Sequence, residues 1–384
     1  MLDPNTHLLS LLTSAVGGRA VSPDMLSQMS DEDIREIYDS AKKHDLAHLV
    51  GVALETAEPG DKNRYKPFVT EEIKAMYRYE WLTGEYKKIC AVLEQHEIPY
   101  IPLKGSVIRA LYREPWHRTS SDIDILIPEE RMENALAIFE NELSYTRTGA
   151  TLQDISLTAP NGVHFELHFD GGEKYVDCSE IWADARPANP GSYQHVLSAE
   201  MLLLTHIAHM AKHFVNGGCG LRPFLDLWLM KEKLPYDAEK LSRMLDSHQL
   251  TDFGNVMFGI VAVWFDHKTP TETEKITQDY IFSGGVYGNL YNSISVTRSR
   301  QNICIYVIQR IFPPLTSLLA SYPVLKRHPW QLPLCWVRRW IRLIREGKLK
   351  QVKTEYDINR RLDADKLNHT SELLKRLELK MGKN

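Results

Sequence analysis

The stretch IPLKGSVIRALYREPWHRTSSDIDILIPEE, residues 101–130, places two aspartates inside an apolar run. In its segment DIDILI, Asp122 and Asp124 alternate with isoleucines, as in a buried strand. Side chains two positions apart on a strand point to the same face, about 6.6 Å apart along the chain. Two carboxylates at that distance repel each other, and aspartate is a poor strand former. The pair therefore indicates a special role for this strand.

The composition is that of an ordinary globular protein. Of 384 residues, 43% are hydrophobic and 25% are charged, and the net charge of −4 favours no particular partner. The five cysteines are scattered, which fits neither a zinc site nor a disulfide framework and indicates reduced thiols. The N-terminus lacks the basic start of a signal peptide, and no apolar run reaches the ~20 residues of a membrane span. We therefore expect a cytoplasmic protein without a membrane span.

The spacing of apolar residues divides the chain into three regions. Helical spacing predominates in residues 1–96 and again in residues 191–384, whereas short extended runs alternate with helices in residues 97–190. Such alternation predicts a compact mixed domain, because the helices pack against the sheet that the extended runs form. The expected fold class is α+β: a small mixed-sheet domain flanked by N-terminal and C-terminal helical regions.

A long helix is expected to lead from the N-terminal region towards the sheet domain. Ile73, Met76, Tyr77 and Trp81 recur at helical spacing, and the apolar pattern continues beyond them. The pattern predicts one helix over about residues 70–96.

The run VHFELHFD, which follows a Pro-Asn-Gly turn, predicts a strand with one apolar and one polar face. The polar face carries two histidines and two acids: His164, Glu166, His168 and Asp170. A half-buried strand needs a polar face, and this ordinary explanation accounts for the alternation as such. If this strand neighbours the Asp122 strand in one sheet, Asp122, Asp124 and Glu166 converge on one spot.

Converging carboxylates are unfavourable alone, because like charges at close range raise one another's pKa. Mg²⁺ prefers oxygen ligands and leaves positions open for substrate phosphates. Two such ions about 3.5–4 Å apart stabilise the attacking and the leaving oxygen in phosphoryl chemistry. We therefore expect Asp122, Asp124 and Glu166 to bind Mg²⁺ or Mn²⁺, as two ions.

A second feature of the quoted stretch is typical of phosphate binding. Gly105 and Ser106 stand at a strand-to-helix turn, where backbone N–H groups and the positive helix end favour anions. Lys104 just before this turn and Arg118 just before the aspartates add positive charge. A Gly-Ser pair alone indicates no more than a turn, but here a helix and an Asp-x-Asp strand follow it. The sequence therefore predicts nucleotide binding by these four residues.

Together these features resemble the polymerase-beta-type nucleotidyltransferase superfamily, whose motif is Gly-Ser, a helix, Asp-x-Asp on the next strand and a third carboxylate on a later strand. The segments LKGSVIRALYREPWHRTSSDIDILI, VHFELHFD and LLLTHIAHMAKHF…GLRPFLDL are closer still to the uncharacterised nucleotidyltransferase family of bacteria. The resemblance covers roughly residues 80–235. It implies a polymerase-beta-like catalytic domain combined with helical regions.

The resemblance assigns roles residue by residue. It implies that Gly105 and Ser106 hold phosphate, that Asp122 and Asp124 bind the metal, and that Glu166 is the third carboxylate. Fifteen residues lie between Ser106 and Asp122, more than in many members of the superfamily, although the closer family is similar. The third acid is a glutamate rather than an aspartate, which puts its reach and its role as a base in doubt.

The function that follows is a metal-dependent nucleotidyltransferase, which moves an NMP from an NTP to an acceptor and releases pyrophosphate. The acceptor is an RNA end, a protein side chain or a small molecule, and the sequence does not decide among them. One alternative is a catalytically silent nucleotide-sensing or scaffold protein that keeps the fold. Another is a binding module whose basic C-terminal region is the active part.

Two patterns downstream of the sheet domain are weaker. One helix carries three histidines at i, i+3 and i+7 spacing: His206, His209 and His213. Ordinary helix packing explains them, whereas a stripe facing a cleft makes His209 and His213, together with His168, candidate substrate contacts. Arg222 and Asp226 are four residues apart and predict an ion pair on one helix.

The stretch Pro323–Lys353 is strongly basic for an acidic protein. It contains one acidic residue, Glu346, and nine lysines and arginines: Lys326, Arg327, Arg338, Arg339, Arg342, Arg345, Lys348, Lys350 and Lys353. Tryptophans at 330, 336 and 340 are interleaved with them. Basic residues with aromatics suit RNA or an anionic membrane surface as a partner. A solvated helix that packs its tryptophans on the core is the ordinary alternative.

Overall fold

The computed structural model describes residues 4–56, 62–151, 153–169, 175–286, 288–299, 301–319, 321–347, 349–362 and 364–379. The helices ahead of the sheet are α1 (Pro4–Gly17), α2 (Pro23–Gln28), α3 (Asp31–Lys43), α4 (Ala47–Thr56) and α5 (Lys66–Gln95). The strands are β1 (Ile101–Pro102), β2 (Asp122–Leu126), β3 (Thr146–Ala150), β4 (Asp154–Thr158), β5 (His164–His168), β6 (Arg186–Pro187) and β7 (His195–Val196). The helices between strands are α6 (Gly105–Ile108), α7 (Met132–Glu142) and α8 (Cys178–Asp184).

The remainder of the described chain is helical. Its helices are α9 (Ala199–Val215), α10 (Arg222–Lys233), α11 (Ala238–Ser247), α12 (Thr251–Phe265), α13 (Glu272–Ser283), α14 (Leu290–Arg298), α15 (Ile303–Ile311), α16 (Leu315–Leu318), α17 (Val324–Arg327), α18 (Leu332–Arg345), α19 (Leu349–Arg361) and α20 (Ala364–Arg376). Helical flanks around a small mixed sheet confirm the expected α+β class. No described helix has both the length and the apolar character that crossing a bilayer requires.

The central sheet has five strands in the order β1-β2-β5-β4-β3. Strands β2 and β5 run parallel, and every other neighbouring pair is antiparallel. The connection between β4 and β5 turns at Gly162, whose φ of 90° lies in the left-handed region that glycine adopts without strain. The strand that the sequence predicts after the Pro-Asn-Gly turn is therefore confirmed, next to the strand of the two aspartates.

Alternation along β2 and β5 separates a core face from a polar face. Ile123, Ile125, Phe165 and Leu167 are at most 1% exposed and belong to the hydrophobic cluster under the sheet. Phe139 of α7 packs edge-to-face on Phe165, with ring centroids 5.1 Å apart. Because these side chains fill one face, the acids of both strands lie on the other.

The helices before and after the sheet region share one hydrophobic core. Leu12 of α1, Leu49 of α4, Leu204 of α9, Phe224 of α10 and Ile260 of α12 are all fully buried members of it. The chain therefore returns from the sheet to the helices with which it began. The division at residues 96 and 190 stays a prediction.

The long helix expected near residues 70–96 is confirmed as α5. Its second half packs on the cluster under the sheet. The predicted apolar stripe of its first half lies instead on the surface, with Ile73 63% and Tyr77 73% exposed. Helical spacing thus predicted the helix correctly. Among the described residues, no other part of the chain covers this apolar stripe.

Candidate functional site

The polar faces of β2 and β5 form the floor of the candidate site. The parallel register sets Asp122 opposite His164 and Asp124 opposite Glu166. His168 stands one step further along the same face, opposite Leu126 of β2. The strand adjacency that the sequence argument required is therefore present. Asp170, the remaining acid of the predicted polar face, lies outside the described residues.

Asp124 is the buried centre of the site, with 5% of its surface exposed. Its Oδ1 accepts a hydrogen bond from Lys104 Nζ at 3.1 Å and lies 2.9 Å from His168 Nε2. Burial opposes ionisation, but Lys104 and His168 outweigh it and hold the pKa of Asp124 well below its ordinary value. Asp124 is therefore a carboxylate held between two groups that carry positive charge.

His168 bridges two acids of the site. Its Nε2 lies 2.9 Å from Asp124 Oδ1 and 3.5 Å from Glu166 Oε2. Burial disfavours the charged imidazolium, yet the hydrogen bonds to Asp124 and Glu166 raise the pKa of His168 to about 9. One ligand atom from each of Asp124, Glu166 and His168 lies within 4.8 Å of the other two, close enough for all three to contact one metal ion.

Asp122 stands beside this group rather than in it. Its Oδ1 accepts from Ser120 Oγ at 3.3 Å. Burial, then repulsion from Asp124 and Glu166, raises the pKa of Asp122. The pKa values of the two aspartates on this strand face thus shift in opposite directions, because the Lys104 and His168 cations bond to Asp124. The repulsion between carboxylates that the sequence predicts contributes to the raised pKa of Asp122.

Glu166 is the most accessible acid of the bridged group. Its side chain is 27% exposed, and its two oxygens each lie 3.5 Å from a histidine, His164 on one side and His168 on the other. The hydrogen bond from His168 lowers the pKa of Glu166 against the opposing effect of burial. Glu166 is therefore ionised at neutral pH and reachable from solvent.

The turn ahead of α6 presents Lys104 to the site. Lys104 has φ 44° and ψ −111°, a backbone conformation that non-glycine residues rarely adopt and that costs on the order of 1–3 kcal/mol. Residues held in this way cluster where function demands a fixed geometry. Here the strained turn reverses the chain at the end of β1 and aims the ammonium group at Asp124.

Close packing around residue 105 explains why this residue is a glycine. A Cβ at this position would stand 2.8 Å from Arg118 Nη1 and 2.8 Å from Ser120 Oγ, so any side chain would displace both. The Gly105 carbonyl also accepts a hydrogen bond from Arg109 Nε at 2.7 Å. Glycine therefore lets two polar side chains approach the turn, and Ser106 follows as the second residue of α6.

Arg118 is buried in an ion pair that the sequence did not predict. Its Nε and Nη2 donate to the two oxygens of Asp226 at 2.9 and 2.8 Å, and Tyr112 Oη donates to the same carboxylate at 2.7 Å. The predicted pair of Arg222 with Asp226 is wrong: Arg222 bonds to Asp45 at 2.9 Å. The cause is burial, since α10 turns Asp226 into the core, where the buried Arg118 meets it.

Two of the three histidines of α9 lie beside the Lys104 turn. His206 is buried, and its Nε2 lies 2.9 Å from the Pro223 carbonyl oxygen. His206 and His209 both line a small cavity of about 30 Å³ together with Lys104. The Nε2 atoms of His209 and His213 lie 3.0 Å apart. The structure thus brings His206 and His209 next to the strained turn, and His213 contacts His209.

Sequence reasoning missed Lys104 as the counter-ion of Asp124 and Asp226 as the partner of Arg118. A signal for Asp226 was present, because this acid interrupts the apolar run FLDLW on one helix. No local signal could reveal Lys104, since its contact with Asp124 depends on the turn and on the pairing of β1 with β2.

The opposite pKa shifts of the two aspartates predict opposite effects of substitution. With divalent metal chelated, Asp124→Asn should lower the free energy of unfolding by about 3–5 kcal/mol, because it leaves the buried His168 cation and the partly exposed Lys104 without their carboxylate. Asp122→Asn should equal or exceed the wild type, since it relieves repulsion. Urea unfolding at pH 7 measures both. Equal losses in the two variants would contradict this electrostatic assignment.

The raised pKa of His168 predicts a loss of stability at alkaline pH. With a folded pKa of about 9 against an ordinary 6.5, the stabilisation is fully present below pH 6.5 and is lost as the pH rises through 9. Thermal unfolding of wild type and His168→Gln between these pH values should show a difference that shrinks as the pH rises. His164→Gln, on the same strand face, is the control and should follow the wild type.

A constant difference between wild type and His168→Gln would mean that His168 is already neutral. The buried Nδ1 atom, which meets no partner among the described residues, would favour that state.

Comparison with known proteins assigns the sequence to a family. The sequence model of the family described as uncharacterised nucleotidyltransferase matches residues 30–266, well over half of the chain. A solution structure of the antibiotic-resistance factor ANT(2'')-Ia is similar at 16% identity and a TM-score of 0.35, covering 45% of this chain and 92% of that one. No curated protein matches. The chain therefore belongs to the uncharacterised nucleotidyltransferase family, and it is an enzyme of nucleotidyl transfer.

Proposed function

We propose that the protein transfers a nucleoside monophosphate from an NTP to an acceptor, with release of pyrophosphate, at the polar face of β2 and β5. One observation supports this proposal: Asp122, Asp124 and Glu166 lie on the polar face of two neighbouring parallel strands, beside the strained turn of Lys104 and Gly105. Acids that repel one another next to a basic turn suit a metal-bound triphosphate, in which cations and phosphates alternate.

Asp122, Asp124 and Glu166 would bind the divalent ions, Mg²⁺ or Mn²⁺, two in number. The residues fit such ions, because carboxylate oxygens are the ligands of hard cations and because the raised pKa of Asp122 reflects repulsion that a cation would remove. Bound there, the ions would neutralise the charge that develops on the transferred phosphoryl group. His168 suits the neighbouring role of positioning Asp124 and Glu166 through its Nε2.

The triphosphate would be held by Lys104, Gly105, Ser106 and Arg118. Lys104 already reaches the site, and Ser106 contributes its hydroxyl at the start of α6. Arg118 has fewer nitrogen atoms for binding phosphate than the sequence predicted, because its Nε and Nη2 donate to Asp226. The remaining nitrogen, Nη1, lies at the Gly105 turn and is the atom with which Arg118 would meet phosphate.

Glu166 would accept the proton of the acceptor hydroxyl. It is ionised at neutral pH and accessible, so its carboxylate is able to take up a proton from a bound acceptor. His168, His209 and His213 are the candidate contacts for the substrates, with His209 on the cavity beside Lys104. The acceptor belongs to one of three classes: an RNA end, a protein side chain or a small molecule.

The proposal is tested by incubating the protein with each α-labelled NTP, Mg²⁺ or Mn²⁺, and separate pools of RNA, protein and metabolites. Label should enter one pool with release of pyrophosphate, and the double variant Asp122→Asn, Asp124→Asn should transfer none. Asp154→Asn, on the neighbouring strand β4, is the matched control and should transfer normally. NTP binding without transfer into any pool would favour a catalytically silent nucleotide sensor.

Glu166→Gln separates chemistry from binding. It keeps size and polarity but removes the negative charge, so turnover should fall by roughly 10²-fold or more, the usual scale for a positioned acid–base group. NTP affinity, measured by calorimetry, should change far less, because the basic turn and the aspartates remain. His164→Gln serves as the control with a milder effect. Near-normal turnover in Glu166→Gln would place the third carboxylate elsewhere.

A further inference from the structure

Helix α18 packs one face on the described chain and leaves the other uncovered. Cys335 is 1% exposed and joins Leu318 and Leu325 in a small hydrophobic cluster separate from the main core. The opposite face carries an apolar stripe at i, i+3, i+7 and i+10 spacing: Leu334, Val337, Ile341 and Ile344. Each of these side chains is between 46% and 58% exposed. Four large apolar side chains in one line form an exposed patch of the kind that binds a partner.

A row of arginines borders this stripe. Arg338, Arg342 and Arg345 each follow one position after a residue of the stripe, so they flank it along the same helix. Arg342 is engaged within the chain, 4.0 Å from Glu346 and over the Tyr322 ring at 5.8 Å from its centroid. Arg338 and Arg345 are exposed and pair with no carboxylate in the described part of the chain. The uncovered face therefore combines apolar and positive surface.

Helix α15, which contacts α18, also carries exposed apolar side chains. Trp340 Nε1 donates to the Ile311 carbonyl at 3.0 Å, which ties α18 to the end of α15. Ile305, Ile308 and Phe312, at this helix and just beyond its end, are 48–58% exposed. Both of these connected helices therefore carry exposed apolar side chains.

We propose that α18 docks the protein onto a membrane surface of anionic phospholipid, with the apolar stripe inserted among the acyl chains and the arginines against the lipid phosphates. Helices that lie in this interface have a narrow apolar face beside arginines or lysines. Charge complementarity indicates an anionic lipid as the partner. When the stripe enters the acyl chains, the arginines beside it lie at the level of the negative headgroups. This proposal is independent of the nucleotidyl transfer chemistry.

The contacts of the tryptophans favour lipid over RNA. Single-stranded RNA is bound by exposed aromatic faces on which bases stack. Trp336 and Trp340 are partly buried and donate their indole N–H groups to the carbonyls of Pro313 and Ile311. Trp330 is the exposed member of the three, at 72%, and a single exposed tryptophan also suits the interface between water and lipid. The side chains of the outward stripe are aliphatic instead, and such groups gain by leaving water for hydrocarbon.

The arginine row also disfavours a second copy as the occupant. A twofold pairing of α18 with itself would bring two rows of like charge together around the apolar stripe, and like charges in an interface oppose association. The same row strengthens contact with a negative surface. Lys348, one of the nine basic residues of this region, lies outside the described residues.

The test is co-sedimentation of the full chain with vesicles. At about 0.1 M salt the protein should bind vesicles of phosphatidylcholine with about 30% phosphatidylglycerol at least tenfold better than phosphatidylcholine alone, because each basic residue near the surface contributes. Added salt should weaken this binding by screening. Val337→Gln with Ile341→Gln, and separately Arg338→Gln with Arg345→Gln, should each reduce binding by about tenfold.

Ile73→Gln with Tyr77→Gln is the matched control, because these side chains form the exposed apolar stripe of α5. This variant should bind vesicles like the wild type. Thermal unfolding verifies that all variants are folded. The proposal is overturned by equal binding to neutral and anionic vesicles, by an effect of the α5 variant as large as that of the α18 variants, or by RNA binding or dimerisation without vesicle binding.

Discussion

Carboxylates of β2 and β5 repel one another across a parallel pair of strands, and the rest of the site compensates for this repulsion. Burial of Ile123 and Phe165 fixes which face of each strand enters the core, and the register then brings Asp124 beside Glu166. The apolar packing therefore forces the acids together. Lys104 and His168 supply the opposing charge within the protein itself, and the proposed ions would supply more when the nucleotide binds.

This constraint explains why the turn before α6 is strained. An ammonium group must reach a carboxylate that is buried on the face of the adjacent strand, and the positive φ of Lys104 directs it there. The lack of a side chain at Gly105 leaves room for Arg118, which Asp226 of α10 holds in place. The helical region after the sheet thus contributes to the site by holding Arg118 in place, whereas the acids of the site come from the strands.

Sequence reasoning could predict the features that depend on local periodicity. Alternation within DIDILI and VHFELHFD predicts which side chains share a face, because the period of a strand is fixed at two residues. The Gly-Ser turn could also be predicted locally, because the pair stands between an extended run and a helix and an Asp-x-Asp strand follows. Partners far apart in the chain could not be predicted in this way. Arg118 and Asp226 are 108 residues apart, and the i, i+4 spacing of Arg222 and Asp226 favoured the wrong pair.

The surface stripes of α5 and α18 mark a second limit of sequence reasoning. Helical spacing of apolar residues predicts an amphipathic helix, but it does not tell whether the apolar face meets the protein's own core. On α5 the sequence pattern continues from an exposed stripe into a buried one without a break, and the difference lies in what the sheet covers. Whether an apolar face is covered depends on the whole fold.

In the proposed reaction, the carboxylates of β2 and β5 hold the ions of a bound triphosphate. Anomalous diffraction from crystals grown with Mn²⁺ and a non-hydrolysable NTP analogue would locate both groups. Manganese peaks are expected among the side chains of Asp122, Asp124 and Glu166, with the phosphates on the Lys104–Ser106 turn. Nucleotide bound elsewhere, or manganese away from these three carboxylates, would contradict this binding mode.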